Sequence, residues 1–158
     1  MKRSSLIVGA LAAVSLIAMG ASAGPETITG KCVKVIDGDT LIVDCEKNRR
    51  TVNLEGVDAP ELEQPWGKEV RSFVRNMVRG REVELIVVDG VGDEVTARVT
   101  VDGVDLAEML VGSGLAWVPE SSADSELVEL GNRARDLPCG LWLDPEPVPP
   151  WEFRAISS

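Results

Sequence analysis

The sequence predicts a small closed β-barrel with appended helices, a mainly β member of the α+β class. Five short runs are rich in β-branched and apolar residues and are bounded by Gly and Asp turn signals. Three other segments carry apolar residues at helical spacing, and one of these lies between the third and fourth strand-like runs. Short strands with one inserted helix are typical of small barrels, although the pattern alone leaves the type of barrel open.

The predicted strands are short and begin near the expected N-terminus of the domain. They cover residues 27–36, 41–45, 50–54, 82–88 and 95–101. Gly38-Asp39 forms the predicted turn of the first hairpin, and Cys32 and Cys45 lie six residues on either side of it. A two-residue turn would place these cysteines opposite each other, which predicts a Cys32–Cys45 disulfide, with two buried thiols as the alternative. Cys139 is then left over.

Three helices follow from apolar residues spaced three and four apart, around residues 70–78, 106–110 and 127–134. Gly80 ends the first helix, and Ser121 or Ser122 is a plausible N-cap for the third. The proline-rich segment 144–158 is predicted to wrap the surface without regular structure.

Residues 1–23 have the pattern of a signal peptide. Lys2 and Arg3 precede an apolar run that is short for a bilayer span, and Ala21-Ser22-Ala23 supplies the small-residue cleavage pattern. An uncleaved anchor is the alternative. We therefore expect a secreted or periplasmic protein with no membrane span after cleavage, whose single domain of 135 residues covers 24–158.

Charge and composition exclude some kinds of site. The net charge of −10 becomes −12 when the two positive charges of the leader are removed. An excess of acidic residues works against binding a polyanion, since nucleic-acid-binding proteins usually present a basic surface. The chain contains no His and no Tyr, so histidine acid–base chemistry and histidine metal ligands are excluded.

Two acidic tetrads lie at predicted turns. Asp37-Gly38-Asp39-Thr40 connects the first two strands, and Asp58-Ala59-Pro60-Glu61 follows the third. Carboxylates at strand ends can converge on one hard cation, which prefers oxygen ligands. Taken separately, each tetrad is also ordinary turn chemistry.

Together with later motifs, the tetrads resemble the signature of the staphylococcal nuclease family. The matching segments, in chain order, are Val35–Thr40, Leu54–Glu61, Glu63–Glu69, Asp102-Gly103 with Asp105-Leu106, Leu110-Val111 with Gly114–Ala116, Arg135 with Gly140–Trp142, and Pro149–Trp151 with Phe153-Arg154. They cover almost all of residues 30–154.

The resemblance implies a five-stranded OB-fold barrel with a Ca²⁺ site. Asp39 and Asp58 would be direct ligands, the Ala59 carbonyl a third, and Asp37 would lie behind them. Glu61 falls where the family has the carboxylate that positions or deprotonates the attacking water. We expect weak Ca²⁺ binding, with a dissociation constant on the order of 10⁻⁴–10⁻³ M, as in extracellular sites.

Both arginines of the family pattern are replaced. The first position is Asn53, and the second is Asp93 or Glu94, depending on where one extra residue is placed. Arginines stabilise the charge that develops during phosphoryl transfer. Arg49 and Arg98 share a strand face with these positions but lie ~13 Å along it.

The nucleotide platform is also changed. The family stacks a base on tyrosines that this chain lacks, and nearby Trp117 is expected to pack in the core. These departures favour a catalytically impaired nuclease homologue that acts as a binding or interaction module. We expect a monomer that binds an unknown protein or a small anionic ligand; the family allows nucleic acid, but the charge disfavours it. The alternatives are an active Ca²⁺-dependent endonuclease or phosphodiesterase acting on DNA or RNA, and a barrel that binds nothing.

Overall fold

The structure is a computed structural model that describes residues 27–137 and 139–157. The predicted signal peptide, residues 1–23, lies outside the described residues. Within the described ranges, no helix combines the length and the apolar character that a membrane crossing requires.

A closed barrel forms the centre of the molecule. Its strands are β1 (Thr27–Val35), β2 (Thr40–Cys45), β3 (Arg49–Leu54), β4 (Glu82–Val91), β5 (Glu94–Val101) and the two-residue β6 (Val104–Asp105). They follow the order β3-β2-β1-β4-β5-β6, and parallel pairing of β3 with β5 closes the barrel while the other pairs are antiparallel. The predicted five-stranded OB-like barrel with helices is confirmed, and β6 is an addition to it.

Alternation along the strands decides which side chains fill the barrel. Leu41 and Val43 of β2 are fully buried, as is Val52 of β3, while the residues between them are partly exposed. Inward positions of a closed sheet recur at every second residue. Asn53, one residue past Val52, therefore lies on the outer face, beside Thr96 of the parallel strand β5.

In the part of the chain that the structure describes, four α-helices and one 3-10 helix surround the barrel. They are α1 (Gly67–Val78), α2 (Leu106–Gly112), α3 (Ser125–Asp136), the 3-10 helix (Gly140–Leu143) and α4 (Pro150–Ser157). The three predicted helices correspond to α1, α2 and α3. The predicted N-cap of α3 is wrong, because Asp124 caps it by accepting hydrogen bonds from the Glu126 and Leu127 amides. The Ser122 hydroxyl instead accepts from the Asp124 amide.

Helix α4 corrects the prediction that segment 144–158 is irregular. Pro150 occupies the first helical position, where its missing N–H is not needed and its restricted φ favours a helix. The Pro149 carbonyl accepts hydrogen bonds from the Glu152 and Phe153 amides at 3.1 and 3.0 Å. The prolines that suggested an irregular tail therefore begin a helix.

The predicted Cys32–Cys45 disulfide is not present in the structure. Cys32 lies opposite Val43, and Cys45 lies opposite Gly30, so the two cysteines are offset along the ladder. The Ile36 amide donates to the Thr40 carbonyl, which makes the turn three residues long, and a β-bulge follows Cys32. The two-residue turn that the prediction assumed is therefore wrong.

Candidate functional site

The first acidic tetrad is a hydrogen-bonded turn between β1 and β2. Asp37 Oδ1 accepts from the amides of Asp39 at 3.2 Å and Thr40 at 2.8 Å, so this carboxylate holds the turn in place. A Cβ atom at Gly38 would lie 2.5 Å from Ala59 Cβ and 2.7 Å from Val70 Cγ1. Glycine therefore allows the second tetrad and α1 to approach the turn.

The two tetrads meet through Asp39. Its Oδ2 accepts a hydrogen bond from the Ala59 amide at 2.6 Å, and its backbone carbonyl accepts from the Leu54 amide at 2.8 Å. In the second tetrad, the backbone of Asp58 forms two hydrogen bonds of 2.9 Å with the backbone of Trp117. The chain thus brings the Asp39 and Asp58 segments together, as the resemblance implies.

Asp39 lies in an environment that disfavours its charge. Burial raises the pKa of this carboxyl to about 7, the hydrogen bond from the Ala59 amide opposes that rise, and the negative charges of Asp37 and Asp58 add to it. A cation at this point would therefore favour the ionised form of Asp39.

Arg154 of α4 contacts the second tetrad. Its Nη1 donates to Asp58 Oδ1 at 3.1 Å and to Glu61 Oε1 at 2.7 Å, and its Nη2 donates to Asp58 Oδ2 at 2.8 Å. Hydrogen bonds to Asp58 first, and then to Glu61, raise the pKa of the guanidinium above its ordinary value. One arginine therefore neutralises the carboxylates that the resemblance assigns to metal binding and to water activation.

The carboxylates supply the kind of donor that Ca²⁺ prefers, but in the described arrangement several of their oxygens are bound to other groups. Among the described residues, no three acidic or cysteine side chains are placed so that they could hold a metal together. Asp58 directs both oxygens to Arg154, and Asp37 directs Oδ1 to backbone amides. The contact that Ala59 makes with Asp39 is through its backbone amide, which donates to the Asp39 carboxylate.

Asn53 and Glu94, two of the positions where the resemblance implies arginines, lie on the same outer face of the barrel. Asn53 pairs with Thr96 across the β3–β5 ladder. Its side-chain oxygen accepts a 3.3 Å hydrogen bond from the Thr40 hydroxyl, which also lies 3.3 Å from Asp39 Oδ1. Glu94 begins β5, opposite Thr51 and two residues from the level of Asn53, and it is exposed. Strand register therefore favours Glu94 as the second position.

Asp93, the other residue considered for that position, lies in the β4–β5 turn. Its Oδ1 accepts from Asn48 Nδ2 at 2.9 Å, and its carbonyl accepts from the Thr51 amide at 2.6 Å. These contacts hold Asp93 against the start of β3, where it serves as a turn residue.

Arg49 and Arg98, the two arginines considered as replacements, are paired with other carboxylates. Arg49 forms a two-pronged ion pair with Asp44. Arg98 binds Asp124 at 3.0 Å and lies within 4 Å of Glu55 and Asp105. Neither arrangement directs a guanidinium toward the acidic tetrads.

A tryptophan cluster packs beside Asp58. Trp117 is 9% exposed and meets the edges of Trp142 and Trp151, with ring centroids 4.6 and 5.7 Å apart. The Arg135 guanidinium lies over Trp117 and Trp142. The predicted core role of Trp117 is confirmed, and an open groove of about 1110 Å³ runs past it and Asp58.

Comparison with known proteins assigns the chain to a family. The family model described as Staphylococcal nuclease homologue matches residues 51–144. The chain belongs to the staphylococcal nuclease family. An uncharacterized endonuclease of Escherichia coli O157:H7 is 35% identical over 130 residues, which cover 80% of this chain and 85% of that protein.

Two further relatives of this nuclease-like chain align over nearly its whole length. Protein ParB of Escherichia coli is 31% identical over 170 residues, covering 99% of this chain and 96% of the relative. Micrococcal nuclease of Shigella flexneri is 28% identical over 170 residues, covering 99% and 97%. The resemblance stated from the motifs is therefore confirmed.

Sequence reasoning placed Arg154 in a family motif but gave it no role. Its hydrogen-bond partners, Glu61 and Asp58, lie 93 and 96 positions earlier in the chain, and a local sequence pattern cannot predict a contact over that distance. The signal that was available is Pro150 at a helix start, because a helix there positions the arginine.

Proposed function

We propose that this staphylococcal-nuclease-family domain hydrolyses phosphodiesters poorly and acts as an exported binding module. The observation that carries the proposal is the outer face next to the acidic turn, where Asn53 and Glu94 lie near each other on paired strands. The resemblance implies arginines at Asn53 and at Asp93 or Glu94. An amide and a carboxylate cannot neutralise the charge that develops on the phosphoryl oxygens.

The size of the defect follows from the groups that are replaced. Removing one preorganised donor lowers a rate by about 10²–10³, and arginines at phosphoryl transition states contribute about 10³–10⁵. Glu94 additionally repels a bound phosphate, and the acidic chain disfavours encounter with a polyanion. We therefore expect turnover at least ~10³-fold below that of a family member with both arginines.

The binding role is supported by the groove beside Asp58. Its lining includes Trp117, Trp151 and Pro149, and the acidic residues Asp58, Glu120 and Glu152 outnumber the single Arg135. This combination suits a protein partner better than a small anionic ligand, because the acidic groups repel anions. Ca²⁺ binding through Asp39 and Asp58 belongs to the same proposal, as does export directed by residues 1–23.

The decisive experiment measures turnover of a fluorogenic single-stranded oligonucleotide, as DNA and as RNA, with Ca²⁺ and with chelator. The reference is a family nuclease that carries both arginines, and Glu61→Gln is the control for the site. We expect residual or undetectable turnover. Ordinary family turnover that disappears in Glu61→Gln would reject the proposal and make the chain an active nuclease, whereas activity that survives in Glu61→Gln comes from a contaminant.

A further inference from the structure

Helix α4 is held beside the second acidic tetrad by contacts that do not involve its arginine. Pro150 of the helix is buried, and the Trp151 ring meets the Trp117 ring with centroids 5.7 Å apart. The buried Gln64 side chain also donates to the Val148 carbonyl, just before the helix. The helix therefore has a defined position, and Arg154 reaches the carboxylates from it.

The contact has the geometry of a strong ion pair. The guanidinium is bidentate to Asp58 and adds a third hydrogen bond to Glu61, a charge-assisted arrangement that planar arginine favours. The Arg154 side chain is 50% exposed, whereas those of Asp58 and Glu61 are 17% and 30% exposed. The arginine thus lies on the solvent side of both carboxylates and covers them.

While Arg154 is bound to Asp58, a divalent cation cannot bind the same carboxylate oxygens. Both Asp58 oxygens are bound to Arg154, and a divalent cation at the same carboxylate would require at least one of them and would repel the guanidinium. Arg154 therefore occupies both oxygens of a carboxylate that the resemblance assigns to the metal.

We propose that Arg154 is a tethered counter-cation that competes with a divalent cation for Asp58 and Glu61, so that docked α4 closes the acidic site to metal. The inference rests on the proposed function in taking Asp58 as a cation ligand. By linkage, a metal that displaces Arg154 must weaken the docking of α4 by the same factor by which α4 weakens metal binding.

Calorimetric titration of the purified protein with Ca²⁺ alone tests the competition. Arg154→Gln should bind Ca²⁺ about five- to tenfold more tightly than the wild type, because a bidentate but half-exposed pair no longer has to be broken. Arg154→Lys keeps the charge without the planar fork and should fall between the two. Arg133→Gln, which removes one positive charge from the exposed face of α3, should change the affinity by less than about twofold.

A second measurement follows the helix itself. Saturating Ca²⁺ should increase hydrogen exchange of the amides in residues 151–157 of the wild type, and the increase should be absent in Asp58→Asn. Adding Asp58→Asn to Arg154→Gln should abolish the gained affinity. These results would assign both the metal and the arginine to the same carboxylate.

Unchanged affinity in a folded Arg154→Gln protein overturns the proposal, and so does a gain that survives Asp58→Asn. If Arg154→Gln does not fold, as judged by its thermal transition, the Ca²⁺ affinity of Arg154→Lys is compared with that of the wild type. Unchanged affinity in Arg154→Lys would then overturn the proposal. Oligonucleotide turnover does not enter these titrations. Ordinary nuclease activity in the wild type would therefore reject the proposed function without affecting the proposed competition. Equal Ca²⁺ affinities of the wild type and Arg154→Gln would reject the competition without affecting the proposed function.

Discussion

The two sides of the nuclease-like site differ in how they were altered. On the loop side, Asp37, Asp39, Asp58 and Glu61 keep the family pattern, and their backbones are joined by the Asp39–Ala59 hydrogen bond. On the strand side, β3 and β5 pair in parallel, and Asn53 and an acidic residue lie where the resemblance implies arginines. Both sides therefore belong to one barrel, and the departures from the implied pattern are outward side chains of the strand side.

The difference teaches that retained acidic residues have more than one physical reason to be present. Asp37 fastens a turn, and Asp39 links two loops, whether or not a metal binds. An outward arginine at position 53 or 94 would have no comparable structural duty, because those positions face solvent at the barrel surface. Loss of the cationic side thus does not require loss of the fold.

Restoring both arginines should produce the largest effect. Asn53→Arg with Glu94→Arg is expected to raise oligonucleotide turnover by about 10²–10³, through transition-state donors returned to the strand side. Turnover in saturating Ca²⁺ measures it. Asn76→Arg with Glu82→Arg makes the same charge change on exposed positions elsewhere. An equal gain in that control would attribute the effect to net charge and remove the contrast between the two sides.

Filling the space at Gly38 should damage the loop side. Gly38→Ala places a Cβ against Ala59 and Val70 and should destabilise the fold by about 1–3 kcal/mol, because the contacting groups belong to the buried core. Denaturant unfolding measures the change. Gly112→Ala, whose Cβ would meet Leu130 at an ordinary 3.5 Å, is the matched control and should be neutral or stabilising. Equal stability of the two variants would contradict the close approach of the two tetrads.

Substitution of Asp37 separates turn chemistry from charge. Asp37→Ala should lower the free energy of unfolding by about 1 kcal/mol, since two backbone amides lose their acceptor. Asp37→Asn retains the acceptor oxygen and should stay within about 0.5 kcal/mol of the wild type. A large loss in the Asn variant would mean that the negative charge, rather than the turn, is what the fold requires.

Arg98 should give the smallest effect. Arg98→Gln removes a half-exposed pair with Asp124 and should lower the free energy of unfolding by at most about 1 kcal/mol, without changing residual turnover. Thermal unfolding and the oligonucleotide assay measure the two quantities. A fall in turnover at unchanged stability would show that Arg98 rebuilds the cationic side and would weaken the contrast drawn above.

Much of the fold could be predicted because its signals are local. Alternating residues identified the strands, and Val70, Val74 and Val78 at helical spacing identified α1, which buries all three. The predicted disulfide was wrong because it depended on the strand register being known to within one residue. The three-residue turn and the bulge after Cys32 moved Cys45 opposite Gly30, and neither feature has a unique sequence signal.

The family and the two acidic turns could therefore be predicted from the chain alone, since each depends on short motifs. The assignment of arginine positions to Asn53 and to Asp93 or Glu94 stays a prediction. Whether Asp93 or Glu94 shares the face of Asn53 depended on the register between β3 and β5, which are more than 40 positions apart. The role of Arg154 depended on a helix that docks next to Asp58, 96 positions away. Such contacts are decided by packing of the complete fold, because the energy that selects them comes from burial and charge pairing between segments that have no local relation.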